Sequence, residues 1–262
     1  MPSIFENGGL IGKINNYSLY KPLTFVGGSA TGVAGTTSNI NFSLTSLTGG
    51  LATAPADGDL VIAVICIGST TDRSYRISGY NQVSDILVTD TEVTNLQVGY
   101  KFMTSTPDTQ VTITGGSGSS FDGIAIAIHV WRNVDTVTPL DVTSVEATFT
   151  NTANPNPSAI TPVTKGAQIL VAGGSATTLV TTYNSPSYLS NFFTASGSDT
   201  NDATVGLGYV PWSGGSYDPN AWTIIGTDNT AFSTAAVTMA LRPAPNIPSG
   251  VFNLDAVING LA

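Results

Sequence analysis

Two stretches decide the fold: GDLVIAVICIGS (Gly58–Ser69) and GAQILVAGGSA (Gly166–Ala176). Each opens on glycine, runs through apolar residues and closes on small ones. A short apolar run bounded by turn residues and rich in Val and Ile is the pattern of a strand covered on both faces. The two runs lie about 108 positions apart, which suggests that the chain is built twice on one plan.

The flanking segments extend the match. NINFSLTSL (39–47) stands opposite NPSAITPV (156–163), and SGYNQVSDIL (78–87) opposite PSYLSNFF (186–193), with Tyr80 against Tyr188. TNLQVGYKFM (94–103) stands opposite NDATVGLGYV (201–210), and TQVTITG (109–115) opposite AWTIIG (221–226). GIAIAIHVWRN (123–133) stands opposite TAAVTMALRP (234–243), with Arg132 against Arg242. Order agrees across all six pairs; five keep offsets of roughly 106 to 112, and NINFSLTSL against NPSAITPV stands at about 117. Alternation or continuous apolarity between Gly, Asn, Asp, Ser and Pro clusters reads as strands and turns throughout. The expectation is an all-β, jelly-roll-like β-sandwich of about twelve strands built from two pseudo-repeats. The repeats are placed at about 37–135 and 156–243 within a body of residues 23–243. The segment Asn151–Pro162 joins them and is too short for a free linker.

The ends differ from the body. Residues 1–22 scatter Leu10, Ile11 and Ile14 among Gly and Asn without a period, an irregular arm. Residues 244–262 follow a proline cluster and carry Val251, Phe252, Leu254 and Val257 near helical spacing, with Ser249 placed to cap a short helix. Apolar side chains on free ends need covering. These seven residues are therefore the candidate assembly contacts.

Composition narrows the function classes. Charged residues make up 10 % of the chain, against about 25 % in an average soluble domain. Eight Lys and Arg face 17 Asp and Glu, for a net charge of −9, with no basic run. That leaves no electrostatic footprint for nucleic acid or an anionic membrane. No run reaches the roughly 18 apolar residues of a membrane helix, and the N-terminus has no secretory pattern, so the expectation is a chain made in a cytoplasm. The single cysteine, Cys66, sits within an apolar run, as a buried core residue would.

The order GGLIGKINNYS (8–18), FVGG (25–28), GDLVIAV (58–64), SGY (78–80), VGYKFM (98–103), TITGGSGSS (112–120), IAIHVWRNVD (126–135) and PSGVFNLDAV (248–257) resembles virion proteins of tailed bacteriophages and related gene-transfer particles. The resemblance covers nearly the whole chain and carries no catalytic motif. It implies a β-sandwich on the particle surface, often as a homotrimer, attached to other virion proteins. The expected role is a head fibre, spike or tail fibre subunit, with a capsid decoration protein as the alternative.

Chemistry is sparse. The only histidine, His129, lies on a strand face opposite Ile124, Ile126 and Ile128, a structural position. Asp85, Asp90, Glu92, Asp199 and Asp202 cannot be paired from sequence as glycosidase carboxylates need. No catalytic residue and no cofactor is therefore expected. The acidic loops Thr89–Asn95 and Ser196–Ala203 could supply oxygen ligands for Ca²⁺, although solvated turns are the simpler expectation. GYVPWSGGSYDPNAW (Gly208–Trp222) combines aromatic and small polar residues, suited to a host-surface glycan or a subunit contact. Its candidate residues are Tyr209, Trp212, Tyr217 and Trp222.

Overall fold

A computed structural model describes residues 18–34, 39–69, 75–115, 123–178, 181–198, 202–225 and 232–246. These residues form strands without a helix. The first half holds β1 (Thr24–Val33), β2 (Ile40–Ser43), β3 (Leu60–Ser69), β4 (Arg76–Ile77), β5 (Asn81–Val88), β6 (Val93–Phe102), β7 (Gln110–Thr114) and β8 (Ile124–Arg132). The second holds β9 (Val145–Thr150), β10 (Gln168–Thr177), β11 (Thr182–Tyr183), β12 (Ser190–Gly197), β13 (Asp202–Pro211), β14 (Ile224–Ile225) and β15 (Ser233–Leu241).

One five-stranded sheet has the order β1-β8-β3-β6-β5, and the other β9-β15-β10-β13-β12. Strand for strand these are the same winding. Outside them lie β2-β7-β4 in the first half and β11-β14 in the second. The place of β2 in the second half is taken by a single bridge, Ile160 to Tyr217. All pairings are antiparallel.

The two large sheets pack face to face. β1 lies across from β12, and β5 across from β9. Because β5 and β12 are counterparts, as are β1 and β9, the halves are related by an approximate twofold axis. This is the isologous arrangement of a symmetric dimer, here within one chain. The axis passes between β3 and β10. Cys66 and Gly174 hold equivalent ladder positions, opposite Ala125 and Ala235, and the Cys66 thiol donates across the axis to the Ser175 carbonyl at 3.6 Å.

This arrangement explains the two apolar runs. Leu60, Ile62, Val64 and Cys66 point between the sheets, while Val61, Ala63, Ile65 and Ile67 point outward beneath Phe42, Val111 and Ile113 of the small sheet. In β10, Leu170 and Ala172 point inward, and Ile169 and Val171 outward against Tyr183, Leu189 and Trp222. Each such side chain taken fully out of water contributes about 1.5–3 kcal/mol. Alternate residues therefore serve different cores, and neither face tolerates a charge.

The described residues hold fifteen strands, against the roughly twelve expected. The additional ones include β1 and β9, which fall outside the repeat boundaries drawn from sequence. Both are sheet edges with half-buried residues, so their apolar signal is weak. The connection between the halves is consequently 133–144, before β9, rather than Asn151–Pro162. That proline-rich segment lies inside the second half, where the Pro155 carbonyl accepts from Trp222 N–H at 2.8 Å. The candidate contacts Leu10, Ile11, Ile14, Val251, Phe252, Leu254 and Val257, and the C-terminal helix expected around them, lie outside the described residues.

The glycine pair in GAQILVAGGSA serves both packing layers. A Cβ on Gly173 would stand 2.8 Å from the Trp222 ring, and one on Gly174 2.7 Å from Cys66 Sγ and 2.8 Å from Leu96. Neither glycine has a positive φ, so the constraint is space alone. Gly174→Ala should therefore destabilise the fold by about 1–3 kcal/mol in urea titrations. In a Cys66→Ala background, where the nearest atom is gone, the added cost of Gly174→Ala should shrink.

Candidate functional site

The aromatic residues of Gly208–Trp222 do not form one surface. Tyr209, on β13, faces between the sheets and packs edge-on against Trp131 at 4.7 Å between centroids. Trp222 is buried, its indole seated over Gly173 and Gly206, which pair across β10 and β13. Tyr183 and Phe192 pack edge-on against it. A free stacking role gives way to a packing role for both: Trp222 fills the slot left by those glycines, and Tyr209 packs on Trp131 between the sheets. Trp212 and Tyr217 are half-buried on the outer layer. Trp212 Nε1 donates to the Gly215 carbonyl at 2.8 Å, which closes its own turn.

The same loop nevertheless builds one wall of a cleft. Pairing of β11 with β14 brings YNSPSY (183–188) beside Asn220–Thr223. Asn184 receives the fold at two points: its backbone N–H donates to the Thr223 carbonyl at 2.9 Å, and its side-chain amide to Thr223 Oγ1 at 2.9 Å. Tyr188 spans the cleft. Its hydroxyl donates to the Asn220 carbonyl at 2.7 Å and accepts from Trp222 Nε1 at 2.8 Å. The cleft is open to solvent, has a volume of about 210 Å³ and is lined by Asn184, Ser185, Ser187, Tyr188, Asn220 and Thr223, with Pro186, Ala221 and Trp222. No acidic or basic side chain lines it. Burial pushes the Tyr188 hydroxyl up to about 12, with the Trp222 hydrogen bond pulling the other way, so the cleft is neutral. Sequence reading missed Asn184, Ser185 and Ser187. The one signal for them was an Asn-Ser-Pro-Ser turn between two tyrosines.

Several ionisable groups elsewhere are committed to the fold. Asp59 is bidentate to Arg132, at 2.7 Å and 2.9 Å. Asp141 accepts from Val163 and Thr164 N–H at 2.6 Å and 2.9 Å, and from Arg242 Nε at 3.1 Å. Burial works to raise the Asp141 carboxyl, but the Thr164, Val163 and Arg242 hydrogen bonds outweigh it and hold it below the usual carboxylate range. Asp85 pairs with Arg76 at 2.7 Å, and Asp90 accepts from Asn151 N–H at 3.0 Å. Glu92 and Asp202 are buried, and Asp199 lies outside the described residues. The two acidic loops join equivalent strand pairs, β5–β6 and β12–β13. Among the described residues no three His, Cys, Asp or Glu side chains stand together as metal ligands. No described helix is long and apolar enough to cross a membrane.

The described ends of the chain meet. Tyr20 bridges Pro245 antiparallel. Lys21 N–H donates to the Ala244 carbonyl and Asn246 N–H to the Leu19 carbonyl, each at 2.8 Å, and the Asn246 side chain donates to the Ser18 carbonyl at 3.0 Å. Leu19 and Val137 are 78 % and 86 % exposed. Val137 lines a groove of about 470 Å³ beside this junction, with Lys21, Asp57, Arg132 and Pro245.

His129 is buried between the sheets, as its strand face requires. It packs edge-on against Phe25 and Phe193, and its Nε2 meets the Asn191 carbonyl at 3.0 Å. A carbonyl only accepts, so Nε2 carries a proton. Burial lowers its pKa to about 3, against a small opposing effect of the Asn191 bond. An unfolded histidine titrates near about 6.5. Between those values the unfolded chain binds a proton that the folded chain refuses, so stability is full above that range and falls as pH drops through it. The folding equilibrium constant should fall about tenfold per pH unit below about pH 6, read from urea midpoints at pH 7, 6 and 5. The ¹⁵N shifts of the single imidazole should remain those of a neutral ring at pH 5.

Comparison of the chain with protein-family models, curated proteins and solved structures finds no match.

Proposed function

We propose that this chain is a non-enzymatic structural subunit of a tailed-phage-type particle, made in the host cytoplasm and carried on the particle surface. In this reading it is an appendage subunit of head fibre, spike or tail fibre type, attached by its ends and presenting the sandwich outward. The observation that carries the proposal is the meeting of residues 18–21 with residues 244–246. Both terminal segments, with Leu10, Ile11 and Ile14 in one and Val251, Phe252, Leu254 and Val257 in the other, continue from a single place on the body. A subunit held at one place leaves the rest of its surface free.

Three further features support the reading. The resemblance in residue order runs from Gly8 to Val257. The polar surface carries little charge, and the carboxylates and guanidinium groups described above are engaged in holding loops and strand ends. The strand order β1-β8-β3-β6 over β2-β7-β4 supports a jelly-roll assignment within the first half, a winding common in capsid domains, where the sequence expectation was one jelly-roll-like sandwich built from both repeats. A homotrimer assembled around the ends fits the same attachment. The exposed Leu19 and Val137 beside the junction would be covered in such an assembly.

Deletion of residues 249–262 should leave the urea midpoint unchanged and abolish incorporation into particles, measured by quantifying the subunit in purified particles. Normal incorporation of the truncated chain would sink the attachment proposal. Particle reconstruction separates the alternatives: density at the tail or on discrete head projections favours an appendage, and density spread over the shell favours decoration.

A further inference from the structure

The internal twofold relates two clefts as well as two sheets. The cleft described above lies between the turn preceding β12 and the loop preceding β14. In the first half, the turn preceding β5 (Ser78, Gly79) and the loop preceding β7 (Thr106, Pro107, Asp108, Thr109) line an opening of about 790 Å³ at the corresponding place. A cleft at this position is thus a property of the repeated unit, and the two copies have diverged. The first contains Lys101 and Asp108, ion-paired at 2.5 Å and each about one-third exposed. The second has exchanged charge for amides, hydroxyls and a tyrosine, and is about a quarter of the volume.

We infer that the Asn184–Tyr188/Asn220–Thr223 cleft is a binding site for a single neutral sugar ring. The chemistry of the lining selects the class. Hydroxyl and amide groups each both donate and accept, which matches the adjacent hydroxyls of a pyranose, where each oxygen does both. Tyr188 offers a half-buried ring beside a hydroxyl already held from both sides, a fixed amphipathic wall. A volume of about 210 Å³ corresponds to about seven waters of liquid volume, the scale of one ring rather than of an oligosaccharide. A uronic or sialic carboxylate would enter without a cation to pair with and lose its hydration, so the site discriminates against acidic sugars. Its first-half counterpart, wide and ion-paired, does not share this selectivity.

The biological use of the site, contact with a surface glycan, rests on the proposed outward-facing role. The binding itself does not, and it is tested on the isolated full-length chain. Saturation-transfer NMR and titration calorimetry would use glucose, galactose and N-acetylglucosamine as neutral probes, with glucuronate as the acidic one. At least one neutral sugar should bind saturably at one site per chain and at least tenfold more tightly than glucuronate. Asn184→Ala, at an exposed position, should weaken that binding at least tenfold with an unchanged urea midpoint, and Ser187→Ala should weaken it measurably. Lys101→Ala should leave it unchanged. The proposal is overturned if none of the three neutral sugars saturates, if glucuronate binds as well as they do, if Asn184→Ala has no effect, or if Lys101→Ala removes the binding. Loss of particle incorporation with intact sugar binding would separate the two functions, and the reverse result would do so equally.

Discussion

The structure depends on one requirement: the central strands β3, β8, β10 and β15 must be dry on both faces at once. A strand with no polar side cannot border solvent, so each large sheet needs a partner within and a cover without. The inner faces meet each other across the approximate twofold. The outer faces are closed by β2-β7-β4 in one half and by β11-β14, Trp222 and the loops around them in the other.

Much of this was legible in the residues. Unbroken runs such as LVIAVICIGS announce strands buried on both sides, and the matching order of six segments announced the duplication. Edge strands were harder to see. β1 reads TFVGGSATGV, with glycines at places where another backbone approaches: a Cβ on Gly32 would stand 2.0 Å from the Ser196 carbonyl oxygen. Close packing there removes the large apolar side chains that would have marked the strand. The aromatic loop was legible as a recognition element only in part. Local sequence records that Trp222 is present, but the slot made by Gly173 and Gly206 that buries it comes from two other strands. The cleft is likewise a product of pairing between β11 and β14, which are about 40 residues apart in the chain.

The duplicated halves have not remained equal. At one edge of the sandwich Gly32, Gly123 and Gly197 bring backbones together. At the opposite edge Ser84 Oγ donates to Glu146 Oε1 at 2.6 Å, and Thr94 donates twice to Ser233 between the sheets, from N–H to Oγ at 2.9 Å and from Oγ1 to the carbonyl at 2.6 Å. One edge is closed by removing side chains and the other by linking them. The central packing constrains both halves to a common winding, while edges and loops are free to differ. Divergence has accumulated there, including in the two clefts.

The adjacency of residues 18 and 246 has a topological consequence. A chain whose two described ends are hydrogen-bonded neighbours is almost a closed ring, and the present opening is one choice among several. A short bridge across that gap would let the chain be opened elsewhere, for instance in the exposed 213–216 turn, with every strand pairing retained. The winding would not change, but the body would be tethered from a different point. Under the proposed attachment, the orientation of the body is therefore a property of where the ring is cut, separable from the fold itself.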